Sequence, residues 1–221
     1  MTAAHVLPFV LYLLGTSFIA RFDEAWYPQL YGALVLALAA GMVWLLAGKQ
    51  ILRPHRRVLP GVLCGLIGIA LWIALASLHM EEALARFLPT WMQPGERVAY
   101  NPLENLVGFE RWGFIAVRLL GIAAVVPVAE ELFWRGFGLR WLIDPEWEKV
   151  PLGEFTMSSC AMVTLMFTLA HPEWLAAAVY CLLLNGLLYW KKDLWLCVIA
   201  HSVSNLVLAG YVLATGEWWL W

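Results

Sequence analysis

The chain has 221 residues, of which 62% are hydrophobic and only 14% charged, with a net charge of −2 and a mean hydropathy of +0.74. Soluble domains carry roughly a quarter charged residues, so this composition excludes an ordinary water-soluble globule, and the lack of positive charge argues against a nucleic-acid partner. The expectation is an all-α, polytopic transmembrane helix bundle forming a single integral membrane domain over residues 1–221, with the lipid bilayer as its solvent.

About 20 apolar residues cross a hydrocarbon core, and seven candidate spans follow in order. The first is Ala4–Ala20; with no basic segment before it and no A-x-A site after it, it reads as a retained span and not a signal peptide. Arg21-Phe22-Asp23-Glu24 links it to the second, Trp26–Leu46. The Gly48–Pro60 loop holds Lys49, Arg53, Arg56 and Arg57, which the positive-inside rule places in the cytoplasm together with the N-terminus. Gly61, Gly65 and Gly68 in the third span, Gly61–Leu78, make a ridge suited to close helix packing. Glu81–Glu110 is the longest polar segment and is expected outside, with a short surface helix over Glu81–Leu88 and a turn at Gln93-Pro94-Gly95.

The fourth helix starts near Arg111, is kinked by Pro127 and runs to about Ile143; its Arg118 is expected to snorkel to the interface. The remaining spans are Phe155–His171, Trp174–Trp190 and Leu194–Ala214, with a cytoplasmic link at Lys191-Lys192-Asp193. Cys64, Cys160, Cys181 and Cys197 all lie in apolar segments and read as packing residues.

Three polar clusters interrupt these helices, and ionisable groups at membrane depth mark function because burying them is unfavourable. In Ala129-Glu130-Glu131-Leu132-Phe133-Trp134-Arg135, the i,i+4 spacing pairs Glu131 with Arg135 and leaves Glu130 without a local partner. The second cluster is Phe167-Thr168-Leu169-Ala170-His171; the third is His201-Ser202-Val203-Ser204-Asn205, with His201 and Asn205 on one helix face and both serines on others. Counted along their helices, Glu130 and His171 lie roughly 20 Å, and His201 roughly 14 Å, from the inner ends. All three then share a mid-membrane zone, which requires the turn His171-Pro172-Glu173 to be sunk in protein.

These groups supply the parts for hydrolysis. A carboxylate in a partly dry cavity can take a proton from water, an imidazole can position that water, and an imidazole N–H with an amide can stabilise an oxyanion. Glu130, His171 and His201 could instead ligate zinc, with water in the fourth position. No metal or other cofactor is the expectation, since H-E-x-x-H is absent and the ligands are spread over three helices. A proton-coupled transporter and a purely structural polar network are the readings without hydrolysis.

Glu-Glu-x-x-x-Arg at 130–135, Phe-x-x-x-His at 167–171 and His-x-x-x-Asn at 201–205 together resemble the motifs of the CAAX prenyl protease and bacteriocin-processing family. This intramembrane peptidase group is typified by the type II (Rce1-like) CAAX protease. The resemblance spans about 111–214, the expected peptidase core. It implies a glutamate-dependent endopeptidase acting on a membrane-associated protein or peptide. Glu130 and His171 would activate water, His201 and Asn205 would form the oxyanion site, and Glu131, Arg135 and Phe167 would support them. Some members of the family are thought to serve in bacteriocin immunity or as scaffolds. The opening His5-Val6-Leu7-Pro8-Phe9 is similar to bacterial CAAX-protease-related proteins found with exosortase systems. That finer likeness implies a bacterial inner (plasma) membrane, where a prenylated substrate is not expected. The site is expected to be accessible from the cytoplasm.

Overall fold

Residues 1–80, 83, 87 and 99–220 are described by a computed structural model. The surface helix expected over Glu81–Leu88 and the Gln93–Gly95 turn lie outside these residues, apart from two isolated positions. Among the described residues, six helices are long and apolar enough to cross a membrane: α1 (Thr2–Ile19), α2 (Glu24–Leu46, opening with a 3-10 turn), α3 (Leu59–Ala76), α4 (Gly108–Trp141), α6 (Trp174–Lys191) and α7 (Leu194–Thr215). Between α4 and α6 stands α5 (Met157–Leu169).

The helix boundaries have local causes. Prolines in the first turn start α2 and α3, where the missing N–H would have no helical partner anyway. Asp193 caps α7 by accepting from the Trp195 and Leu196 amides, and Thr156 caps α5 through Ser159.

The fifth expected span is corrected. With 13 helical residues, α5 is about 20 Å long, short of a hydrocarbon core of about 30 Å. Thr156 sets its start, and the preceding loop is held against the end of α6, where Gly153 (φ +75°) sits so close to the Leu188 carbonyl and Lys192 that a Cβ would crowd both. The bundle therefore has six full spans and a shorter helix, whose C-terminal turn holds His171.

The glycine ridge of α3 packs within the chain, as expected. Gly61 lies against the Leu196 carbonyl and Ile199, Gly65 against the Ala200 carbonyl and Val203, and Gly68 against the Tyr180 ring. A Cβ at Gly65 would collide with backbone, so its absence sets how closely α3 approaches α7. The four cysteines are free thiols; three are buried and Cys64 is half-buried.

Helix α4 contains two wide π-helical segments, Gly121–Val125 and Leu132–Gly138, on either side of Val126–Glu131. Pro127 accounts for the first. It has no N–H to continue the α ladder, and a wider turn re-registers the chain around it. Arg118 is buried, with its guanidinium hydrogen-bonded to the Tyr27 hydroxyl and lying over the rings of Tyr27 and Tyr31. It is packed into the protein where snorkelling was expected.

The ends of the bundle differ in charge. Met1, Lys49, Arg53, Arg140 and Glu148 border one hollow, and Arg56, Arg57, Lys191 and Asp193 border another. His55 Nε2 lies 2.7 Å from Asp193 Oδ2. The N-terminus and the basic loops therefore share one end, while Tyr100 packs on Tyr27 and Trp219 on His79 at the other.

Candidate active site

Glu130, His171, His201 and Asn205, drawn from α4, the α5–α6 turn and α7, all border one cavity of about 320 Å³. Phe9 and Tyr12 of α1 and Trp72 of α3 complete much of its wall. None of the basic-end loop residues borders it; its lining instead reaches Leu208 and Leu220, towards the opposite end. An opening on the basic side, expected from the sequence, is not what the cavity shows.

Glu130 and Glu131 are adjacent but differ in surroundings. Glu131 is fully buried away from the cavity; its Oε1 accepts from Arg135 Nη1 at 3.3 Å and from His201 Nδ1 at 2.8 Å, while its Oε2, like that of Glu130, has no hydrogen-bond partner. Glu130 is buried at the cavity wall, and its Oε2 has no hydrogen-bond partner. A carboxylate oxygen desolvated in this way is short of exactly one kind of neighbour, a proton donor such as water.

Arg135 is fully buried and anchors the site from behind. Nε donates to Asn185 Oδ1 at 3.1 Å, and Nη2 donates to the Cys181 carbonyl at 3.3 Å. Its guanidinium also lies 5.1 Å from the centre of the Phe167 ring. The other face of the relationship is His171, which stacks on Phe167 at 4.4 Å and meets the edge of Trp72 at 5.8 Å.

Both histidines are oriented through Nδ1. His171 Nδ1 lies 2.8 Å from the Phe167 carbonyl, which can only accept, so this nitrogen carries the proton. In the neutral ring, Nε2 is then a lone-pair acceptor. The same logic applies at His201, whose Nδ1–H donates to the Glu131 carboxylate. Its Nε2 is the ring nitrogen left to meet a group in the cavity.

Asn205 has a backbone partner that the sequence alone did not suggest. Its Nδ2 donates to the Ile122 carbonyl at 2.7 Å. The Val126 amide bonds to Gly121 in the π segment, so it is lost to Ile122. The next residue, Pro127, has no N–H to offer. Asn205 supplies the missing donor, which fixes its amide plane and leaves the second N–H uncommitted.

All seven expected site residues are thus gathered in or directly behind the cavity. Ser204, expected on another face, does border it, but its hydroxyl is engaged with the Gly65 and Ala200 carbonyls and accepts from Tyr180. Tyr180, Asn185 and Trp72 were not singled out from sequence. Asn185 carried a usable signal, a lone amide within an apolar span. The His5–Phe9 stretch packs α1 on α4 and on the loop after it, with Phe9 against Phe133 and Trp134 and His5 against Trp147.

Among the described residues, no three His, Cys, Asp or Glu side chains group closely enough to hold a metal ion. Each imidazole is tied to its own anchor, Phe167 or Glu131.

A family model of the Rce1-like type II CAAX prenyl endopeptidases matches residues 112–207. Neither the curated proteins nor the solved structures yielded a match. The matched stretch runs from the first turns of α4 into α7 and includes Glu130, Glu131, Arg135, Phe167, His171, His201 and Asn205. Through this stretch the chain is similar to the Rce1-like type II CAAX prenyl endopeptidase family, a family of proteases.

Proposed function

We propose that this chain hydrolyses a peptide bond of a membrane-associated protein or peptide with a water activated by Glu130. The observation that carries this reading is the partnerless Oε2 of Glu130 on the wall of a cavity shared with His171, His201 and Asn205. Water bound there donates one hydrogen to Glu130 and a second to His171 Nε2. Glu130 takes a proton as the water oxygen attacks the peptide carbonyl carbon. The resulting oxyanion accepts from the free Asn205 N–H and sits beside the His201 ring, which Glu131 holds in place through Nδ1. Protonated Glu130 then passes its proton to the amide nitrogen, the C–N bond breaks, and a carboxylic acid, which keeps the second proton of the water until it ionises to solvent, and an amine leave.

The basic end belongs in the cytoplasm of a bacterial plasma membrane by the positive-inside rule, with the N-terminus on that side. The cavity then faces the outer half of the bilayer. No metal or other cofactor is needed for the steps above.

Glu130→Gln keeps the shape and removes the basicity. Turnover is expected to fall by about 10²-fold or more, while thermal stability holds or rises, because a partnerless buried carboxylate has been replaced by a neutral amide. Comparing membrane-protein termini between cells with wild type and with Glu130→Gln, at matched protein levels, tests this. Precursors left uncleaved in the variant support the reading. Identical termini in both overturn it, and proton flux into liposomes would point to transport instead.

A further inference from the structure

A second feature lies on the outer surface of the bundle, away from the cavity. Between α3 and α6 runs an apolar groove of about 470 Å³, walled by Leu63, Ile67, Leu182 and Trp190. Leu59 and Pro60 close its end, and the same two residues border the adjoining hollow of His55, Arg56, Arg57 and Lys191. The two are therefore adjacent: a lipid-facing slot abuts a cluster of cations at the basic end.

Three details fit this arrangement to one kind of occupant. First, among the described residues the only carboxylate bordering the basic hollow is Asp193, and both its oxygens are engaged. Oδ1 caps α7 through Trp195 and Leu196, and Oδ2 binds His55. Arg56, Arg57 and Lys191 are left to face an outside anion. Second, α3 begins here without a side-chain cap, so first-turn amides of an 18-residue helix add to the positive end. Third, Lys191 Nζ lies 3.5 Å from the centre of the Trp190 ring, and Trp190 is largely exposed. A tryptophan with a cation on its face is the side-chain pair expected at headgroup level, where apolar groove meets water.

We propose that this is a binding site for one anionic phospholipid, with its phosphate on Arg56, Arg57 and Lys191 and an acyl chain in the α3–α6 groove. A zwitterionic lipid fits the groove, but its headgroup cation is repelled by Arg56, Arg57 and Lys191 and offsets what its phosphate gains there. Free phosphate meets the cations but leaves the groove unused. The site is independent of the hydrolytic reading, since it shares no residue with the Glu130 cavity.

The test is native mass spectrometry of the purified full chain in detergent with equimolar phosphatidylglycerol and phosphatidylcholine. Phosphatidylglycerol is expected to be retained over phosphatidylcholine by about tenfold, and the double variant Arg56→Gln, Arg57→Gln should bring the ratio near one. Gly186 borders the groove, and a Cβ there meets nothing within 4 Å. Gly186→Leu should therefore fill the slot and lower retention several-fold with an unchanged unfolding temperature. Equal retention of the two lipids by wild type, or undiminished selectivity in the double variant, overturns the proposal. So does displacement of phosphatidylglycerol by millimolar inorganic phosphate, which would mark a simple anion site.

Discussion

His201 Nδ1 lies 2.8 Å from Glu131 Oε1, the same oxygen that Arg135 Nη1 reaches at 3.3 Å. One fully buried carboxylate thus serves both the framework and the reacting group. Arg135→Ala would strand Glu131 in the interior and also remove the bonds to Asn185 and Cys181. Breaking a buried pair from one side typically destabilises by about 3–5 kcal/mol. The unfolding temperature in detergent should fall clearly, and Arg135→Lys should recover little, since an ammonium cannot reproduce the forked contacts. A variant as thermostable as wild type would remove the framework role.

Asn205 joins a structural and a chemical task that a rescue experiment can separate. Asn205→Ala leaves the Ile122 carbonyl without a donor, which should destabilise by about 1–3 kcal/mol, and lowers turnover by about 10²–10³-fold through the lost oxyanion donor. Asn205→Asp should be at least as damaging, because its carboxylate repels both the carbonyl and the oxyanion. Adding Pro127→Ala to Asn205→Ala restores a backbone N–H to this stretch of α4. Unfolding temperature should recover while turnover stays low. Recovery of both would assign Asn205 to the framework alone.

Metal dependence is tested directly. Glutamate-based hydrolysis should survive a strong chelator, whereas a zinc enzyme loses activity and regains it with zinc. Elemental analysis is expected to find no stoichiometric metal in the purified protein. One zinc per chain, lost in His171→Ala, would replace the water-activation scheme.

Orientation follows from the charge asymmetry of the two ends. With Gln50→Cys at the basic end and Asn105→Cys at the other, an impermeant thiol reagent applied to intact cells should label only Asn105→Cys. Leu220→Cys, at the far margin of the cavity, should also be labelled. Labelling at Gln50→Cys alone would invert the bundle and turn the cavity towards the cytoplasm.

Much was legible in the sequence because membrane helices are written locally. Apolar length and the Lys/Arg loops located the long helices to within a few residues, as at Trp26–Leu46 against the observed Glu24–Leu46. The same logic exposed the site, since Glu130, His171, His201 and Asn205 stand out as polar groups in apolar surroundings. The i,i+4 pairing of Glu131 with Arg135 was also readable, because it lies within one helix.

Tertiary structure decided what depends on partners distant in sequence. The shortness of α5 follows from the Gly153 loop docking on α6, and the burial of Arg118 follows from tyrosines on α2. The second ligand of Glu131, the donation from Asn205 to Ile122 and the course of the cavity each require helices to be set side by side. Hydropathy and spacing report what one helix must bury; they carry no record of which neighbour completes a hydrogen bond, because that choice is made by packing between helices.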